Sequence, residues 1–421
     1  MLEVSDSLLP ATRAGEKLKV LTVGFDAGSL EEMQSLLTTL ELEEAKQVVA
    51  PLKKISPATY IGKGKVDEVK ALGEAFLAEA VIFDTDLSPK QMHNLEKILK
   101  KRVLDRAGVI IEIFSRHART KEAKTQVELA RLQYLMPRLT HFWTHFERQR
   151  GGIGQKGMGE KQLEVDRRLL EKRMTLLRRR LSDIEKERNV QRAGRADILK
   201  VALVGYTNAG KSTLLNALTH SRVLAEDKLF ATLDASVRAL DPDSHPPVVA
   251  IDTVGFISNI PTSLIASFRS TLEELYQADL LVHVVDASAI RAREQVETTE
   301  QVLKELELDG KDRITVLNKI DQVKDGSSGL NRARLVVPGA KRLSALNLEE
   351  VRELRDMILN HFRNQLEVWD IVVPYDQGKL ESQLHTYGSI ETVRYLEKGT
   401  FYRVRIHTGW ANKLELGKYK L

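Results

Sequence analysis

The sequence predicts a multi-domain α/β protein, and three observations predict it. Short apolar runs alternate with amphipathic stretches over the first hundred residues and again after residue 198. A glycine-rich phosphate-binding pattern joins one of the later strands to a helix, and a long arginine-rich helical stretch separates the two alternating regions. The 421 residues are enough for several domains with ample core.

Residues 1–115 read as a small parallel α/β domain. The runs Leu18–Val23, Gln47–Leu52, Ala80–Phe83 and Val109–Ile113 have strand character, and Leu30–Leu40, Val66–Leu77 and Pro89–Leu99 have helix character. Tyr60-Ile61-Gly62-Lys63-Gly64-Lys65 opens the second helix and could cradle a phosphate, although it lacks the terminal Ser or Thr of a full motif.

Residues 116–197 read as a basic helical hairpin. Lys121–Leu135, with Val127, Ala130 and Tyr134, supplies one helix. On the other, Leu163, Leu170, Met174, Leu177, Leu181 and Ile184 recur at steps of seven, four and three residues, which is a heptad seam. The whole chain carries a net charge of +5. Over residues 101–200, however, Lys and Arg outnumber Asp and Glu by about two to one, so the rest is net acidic. A basic helical face either contacts nucleic acid or is simply solvated. Between the helices lies Gly151-Gly152-Ile153-Gly154-Gln155-Lys156-Gly157-Met158-Gly159-Glu160, flanked by His141, Trp143 and Phe146. Glycines beside aromatics and cations suit unpaired RNA bases and phosphates, or serve only as a flexible connector. Gly151, Gly152, Gly154, Lys156, Gly157, Gly159, Arg167 and Arg168 are the candidate RNA contacts.

Residues 198–365 carry the clearest chemistry. Gly205-Tyr206-Thr207-Asn208-Ala209-Gly210-Lys211-Ser212 completes GxxxxGK[ST] between the strand Val201–Val204 and a helix opening at Thr213. Small residues let backbone N–H groups wrap an anion at a helix N-terminus. Lys211 would reach the terminal phosphates, and Ser212 would hold Mg2+. After the strand Pro247–Ile251 comes Asp252-Thr253-Val254-Gly255, a DxxG sequence whose carboxylate can bind Mg2+ and whose glycine N–H can approach a γ-phosphate. The strand Ile314–Leu317 ends in Asn318-Lys319-Ile320-Asp321, an NKxD sequence. Guanine offers N1–H and N2–H side by side and adenine does not, so Asp321 selects guanine. Asn318 would brace the P-loop, and the Lys319 stem would lie along the base. Ser344-Ala345 would bring a backbone N–H to guanine O6, or is an ordinary Ser-Ala turn. Each motif sits at the C-terminal end of a strand, where open α/β sheets bind ligands.

Thr232, in Phe230-Ala231-Thr232-Leu233-Asp234, is the preferred threonine ligand for Mg2+ over Thr219, with a plain strand role as the alternative. Lys211, Thr232 and Gly255 are therefore the candidate catalytic groups. Phe256-Ile257 stands where a water-orienting glutamine would follow DxxG, so catalysis needs another source. Asn208 is the candidate ligand for a K+ ion supplying that charge, or it only ties the loop together.

Residues 366–421 read as a small α+β appendix, with strands Val368–Val373 and Thr400–Ile406 around a helix Gly378–His385. The chain has no Cys, and it shows neither a run of membrane-spanning length nor a signal-peptide pattern. A cytoplasmic location is the expectation, with room for a membrane-peripheral fraction.

These residues resemble the HflX family of GTPases over nearly the whole chain. The likeness runs through Tyr60–Val66, Phe83–Glu96, Gln126–Leu132, the glycine loop leading into Gln162-Leu163-Glu164-Val165-Asp166-Arg167-Arg168, and the nucleotide motifs. It implies a P-loop GTPase that uses GTP, GDP and Mg2+ and binds the large ribosomal subunit and its RNA. It also implies a glycine-rich region near the peptidyl-transferase centre and a role in splitting or rescuing stalled ribosomes under stress. ATP binding by the N-terminal domain is a further implication. The family usually has Arg and Pro where this chain has Lys156 and Met158, and Pro-Thr-Thr where it has Ala235-Ser236-Val237. Two other readings remain open at this stage: a GTP-gated RNA-binding module with incidental hydrolysis, and an ATP-driven RNA remodeller.

Overall fold

The structure is a computed structural model that describes residues 7–10, 16–51, 54–138, 156–193, 198–219, 230, 236–241, 244, 247–258, 274–323 and 337–421. The chain divides into two compact units, one built mainly of residues 1–187 and one mainly of residues 188–421.

In the first unit, strands β1 (Lys19–Gly24), β2 (Glu43–Val49), β3 (Ala80–Phe83) and β4 (Arg102–Asp105) form a parallel sheet in the order β2-β1-β3-β4. Helices α1 (Ala27–Thr39), α2 (Lys63–Ala75) and α3 (Pro89–Leu99) cross between them. Ser88 and Gln91 form a capping box ahead of α3, with Pro89 in its first turn. β2 begins earlier than its apolar run because its first half, with Glu43, Glu44 and Lys46, is a charged sheet edge.

The expected strand Val109–Ile113 is instead part of helix α4 (Arg106–His117), and the fourth strand precedes it at Arg102–Asp105. The Asp105 carboxylate accepts the Gly108 N–H at 2.9 Å and starts the helix. Every residue from Arg106 to Phe114 is buried, and the apolar Val109-Ile110-Ile111 and Ile113-Phe114, broken only by the buried Glu112, read locally as a buried strand.

Helix α5 (Lys121–Leu135) begins at the Thr120 cap, and α6 (Lys156–Ala193) is 38 residues long. The two pack through Leu129 and Leu132 against Leu170, Met174 and Leu177. Tyr134 leaves that seam: it packs on the sheet core, its hydroxyl donates to Asp105 at 2.8 Å, and the Arg138 guanidinium lies 3.7 Å from its ring centroid. Lys156–Glu160, expected as loop, belongs to the start of α6, and residues 151–155 lie outside the described residues.

In the second unit the sheet order is β10-β9-β8-β5-β7-β6. It comprises β5 (Leu199–Val204), β6 (Ser236–Asp241), β7 (Val248–Asp252), β8 (Leu280–Asp286), β9 (Arg313–Asn318) and β10 (Lys341–Arg342). β6 runs antiparallel to β7, and the other pairings are parallel. Helices α7 (Lys211–Thr219) and α9 (Leu348–Asn364) bury Leu214, Leu215, Leu218, Leu354, Ile358 and Phe362 in its core, and α8 (Ala292–Glu305) follows β8. The remaining chain forms an antiparallel sheet β11-β13-β12 from β11 (Glu367–Val373), β12 (Gly388–Leu396) and β13 (Gly399–Ile406). Helices α10 (Gly378–Tyr387) and α11 (Thr408–Lys413) cover it, with Tyr387 stacked on Trp410 at 3.6 Å. β12 was not visible as a strand because most of its residues are exposed and carry no apolar alternation.

Candidate nucleotide site

Four motifs meet at the carboxyl end of the parallel strands because each follows a neighbour in the sheet: β5, β7, β9 and β10. The P-loop after β5 needs its glycines. Gly205 has φ 146°, and a Cβ there would lie 2.2 Å from the Val284 carbonyl oxygen. Gly210 has φ 91°, and a Cβ there would lie 2.3 Å from Asn318 Nδ2. Asn208 takes a left-handed conformation at φ 59° and is exposed, at the outer turn of the loop.

Lys211 opens α7 with its amine turned back into the loop, where it donates to the carbonyls of Gly205 at 3.1 Å and Tyr206 at 2.7 Å. Burial pushes this amine down to about 8; attraction from Asp252 opposes the shift and repulsion from Lys319 adds to it. A cation held this far from water is poised for phosphate oxygens, whose charge would restore its usual affinity for a proton.

The Ser212 hydroxyl donates to Asp252 Oδ2 at 2.6 Å, so the expected metal hydroxyl and the DxxG carboxylate are already adjacent. A hydroxyl and a fully buried carboxylate side by side form a hard-oxygen donor pair that fits Mg2+. The Thr253 hydroxyl donates to the Leu203 carbonyl at 2.6 Å and ties the DxxG segment to β5. Gly255 lies so close to the P-loop that a Cβ would meet Thr207 Cα at 2.8 Å and Lys211 Nζ at 2.9 Å.

The base-recognition motif is braced by Asn318, whose Nδ2 donates to the Ala209 carbonyl at 2.9 Å and whose Oδ1 accepts the Ala345 N–H at 2.9 Å. The amide expected at guanine O6 is thus committed to Asn318 in this state. Lys319, left-handed at φ 59°, pairs with Asp286 at 2.9 Å. Asp321 is exposed and lines an open pocket with Ile320, Ser344, Leu346 and Glu350, which leaves its carboxylate accessible to a base.

Thr213 lies in the first turn of α7. Thr232 lies outside the described residues, as do Gly151, Gly152 and Gly154. Lys156, Gly157 and Gly159 fall in the first turns of α6. Arg167 and Arg168 are exposed on that helix and pair with Glu171 at 3.0 Å and Glu164 at 2.6 Å.

Three contributors escape sequence reasoning. Asp286 holds Lys319, Glu350 accepts the Ser344 N–H at 2.6 Å, and Ser258 binds the hydroxyl of the P-loop residue Tyr206. Asp286 carries the one available signal, a carboxylate at the end of an apolar strand.

Comparison with known proteins places this geometry in a family. Residues 27–115 match the model described as GTP-binding GTPase N-terminal, residues 117–195 the GTP-binding GTPase Middle Region, and residues 200–319 the 50S ribosome-binding GTPase. GTPase HflX of Escherichia coli is 40% identical over 393 residues, covering 92% of this chain and 92% of its own length. GTPase HflX of Magnetococcus marinus is 42% identical over 389 residues, covering 92% of this chain and 90% of its own. A likeness that runs through the N-terminal, middle and nucleotide-binding regions alike, with the P-loop, DxxG and NKxD segments assembled at one sheet edge, makes the chain a member of the HflX family of GTPases.

Proposed function

We propose that this GTPase acts on the large ribosomal subunit, and that subunit binding raises its turnover. The arrangement around Gly255 carries the argument: the residues that follow it, Phe256 and Ile257, are 3% and 0% exposed and have no side-chain hydrogen-bonding group to orient water. Among the described residues the site positions a triphosphate but offers no side chain to orient the nucleophile, and in this reading a partner supplies the missing organisation. Support for a ribosomal partner comes from the resemblance of the nucleotide domain to 50S ribosome-binding GTPases and from α6, whose Arg167, Arg168, Arg178, Arg179 and Arg180 are exposed.

In this reading the P-loop amides and Lys211 hold the β- and γ-phosphates, Gly255 presents its N–H to the γ-phosphate, and Asp321 fixes the base. Ser212 and Asp252, with Thr232, would hold Mg2+, which supplies positive charge against the phosphate oxygens. Asn208 is the proposed K+ ligand, and equal turnover in KCl and NaCl would remove it from that role. Splitting or rescue of stalled ribosomes under stress, in the cytoplasm, is the biological setting we propose. Among the described residues no helix is long and apolar enough to cross a membrane.

An ATP-driven N-terminal remodeller is less well supported. At the carboxyl ends of β1 and β3, where the strand order reverses, Phe25 and Tyr60 pack with ring centroids 5.3 Å apart, and Thr85 donates to the Tyr60 hydroxyl at 3.0 Å. Arg106 is buried between Asp84 at 2.6 Å and Glu32 at 3.0 Å. The polar groups there are spent on one another.

The decisive assay is GTP turnover with and without purified large subunits in KCl buffer. Stimulation of about a hundredfold is expected, the scale of one well-placed electrostatic group. No stimulation would leave a GTP-gated RNA-binding module as the better description.

A further inference from the structure

After DxxG, the segment 256–258 stays bonded to the P-loop. Phe256 bridges to Tyr206 in parallel register: the Thr207 N–H donates to the Phe256 carbonyl at 2.7 Å, and the Phe256 N–H donates to the Gly205 carbonyl at 3.1 Å. Two residues on, the Ser258 N–H donates to the Tyr206 hydroxyl at 2.9 Å, and that hydroxyl lies 2.7 Å from Ser258 Oγ. Tyr206 is only 6% exposed and Ser258 is half-buried, so these bonds are partly shielded from water.

One residue therefore holds two phosphate-contacting groups in register. The Tyr206 carbonyl takes the Lys211 amine at 2.7 Å, while its side chain fixes the segment that carries Gly255. Gly255 is pressed against Thr207 and Lys211 with no room for a Cβ, and the bridge to the P-loop is made by the N–H groups of Thr207 and Phe256, not by the one Gly255 would offer a γ-phosphate. Thr207 adds a second sign of a ligand at this end: its Oγ1 is buried and has no hydrogen-bond partner among the described residues.

We propose that Tyr206 and Ser258 are positioning residues for GTP hydrolysis: their hydrogen bonds hold the Gly255 N–H at the terminal-phosphate end of the loop. GDP, which lacks that phosphate, does not depend on them. The proposal rests on the GTPase reading of the site and adds a device by which the site distinguishes the triphosphate.

The test compares Tyr206→Phe, Ser258→Ala, the double variant and Ser258→Thr by single-turnover GTP hydrolysis and by GDP affinity in the full chain. Tyr206→Phe keeps the ring and its packing, which isolates the hydroxyl. Tyr206→Phe, which removes both bonds, is expected to lower the hydrolysis rate about fivefold; Ser258→Ala, which leaves the Ser258 N–H on the Tyr206 hydroxyl, lowers it about twofold, and the double variant falls no further than Tyr206→Phe. Ser258→Thr retains the hydroxyl and most of the rate, and GDP affinity stays within about twofold throughout. Rates unchanged in both single variants would overturn the proposal. So would a loss of GDP affinity in step with the rate, which marks a general structural role for Tyr206. If the unaltered chain neither binds nor hydrolyses GTP, the GTPase reading fails instead.

Discussion

Replacing Asp321 with Asn is expected to lower GTP affinity by roughly three orders of magnitude and to transfer the preference to xanthosine triphosphate. The Asp321 carboxylate is exposed in the base pocket and acceptor-only, so it matches the N1–H and N2–H donors of guanine. Asn keeps one acceptor and replaces the other with a donor. Guanine then faces a donor against its amino group, whereas xanthine carries a carbonyl at that position and regains both bonds. The side chains are nearly the same size and the residue sits on a solvent-facing turn, so fold stability should change by less than about 0.5 kcal/mol. Competition between GTP and xanthosine triphosphate for the variant reads the outcome directly. Retained GTP preference would mean that Asp321 does not read the base, whatever the sequence around it suggests.

That prediction could be made from the sequence because the motif is local. NKxD follows an apolar strand, and the fold needs only to deliver the strand end to the sheet edge, which the parallel topology does. The same holds for the P-loop: Gly205 and Gly210 occupy positive φ and meet a backbone oxygen and the Asn318 amide, so the spacing that identifies the loop is also what its geometry requires. Asp252 beside Ser212 is a longer-range result, yet it was legible because each residue belongs to its own motif.

What stayed hidden depends on contacts that no local pattern encodes. Tyr206 and Ser258 are 52 residues apart, and neither a P-loop Tyr nor a Ser after Phe256-Ile257 announces the other. Glu350 reaches the Ser344 amide from the first turn of α9, where an acidic residue is ordinarily explained by the helix dipole alone. Val109–Ile113 misled for a different reason. Burial on all sides left an apolar stretch that reads locally as a strand, and the Asp105 cap that starts the helix lies four residues upstream, in the strand that was missed. Tyr134 fits a helical seam by spacing but is drawn to the sheet by Asp105 and Arg138, a polar demand that periodicity does not register.

Lys211→Met should move stability and function in opposite directions. In the folded chain the Lys211 amine is depressed from 10.5 to about 8, which corresponds to a cost of about 3 kcal/mol for keeping it charged at neutral pH. That cost is fully present below the folded value, fades between about 8 and 10.5, and is gone once the amine is neutral in both folded and unfolded chains. Methionine removes the charge at similar volume but leaves the carbonyls of Gly205 and Tyr206 without their donor, which returns about 1–2 kcal/mol of the gain. The nucleotide-free variant is therefore expected to be more stable by about 1–2 kcal/mol, a rise of roughly 2–8 °C in melting temperature. Nucleotide binding should suffer far more, with GTP affinity falling by about a thousandfold or more, because the phosphates lose a desolvated cation at hydrogen-bond range. In the unaltered chain, bound phosphate stabilises the charged amine, so binding takes up a proton wherever the free site is neutral, and GDP affinity should fall about tenfold from pH 7 to pH 9. The variant should lack that slope. Melting curves without nucleotide and GDP titrations at the two pH values separate the effects. A variant that binds normally, or one that loses stability in the empty state, would show that Lys211 is a structural tie rather than a strained cation awaiting phosphate.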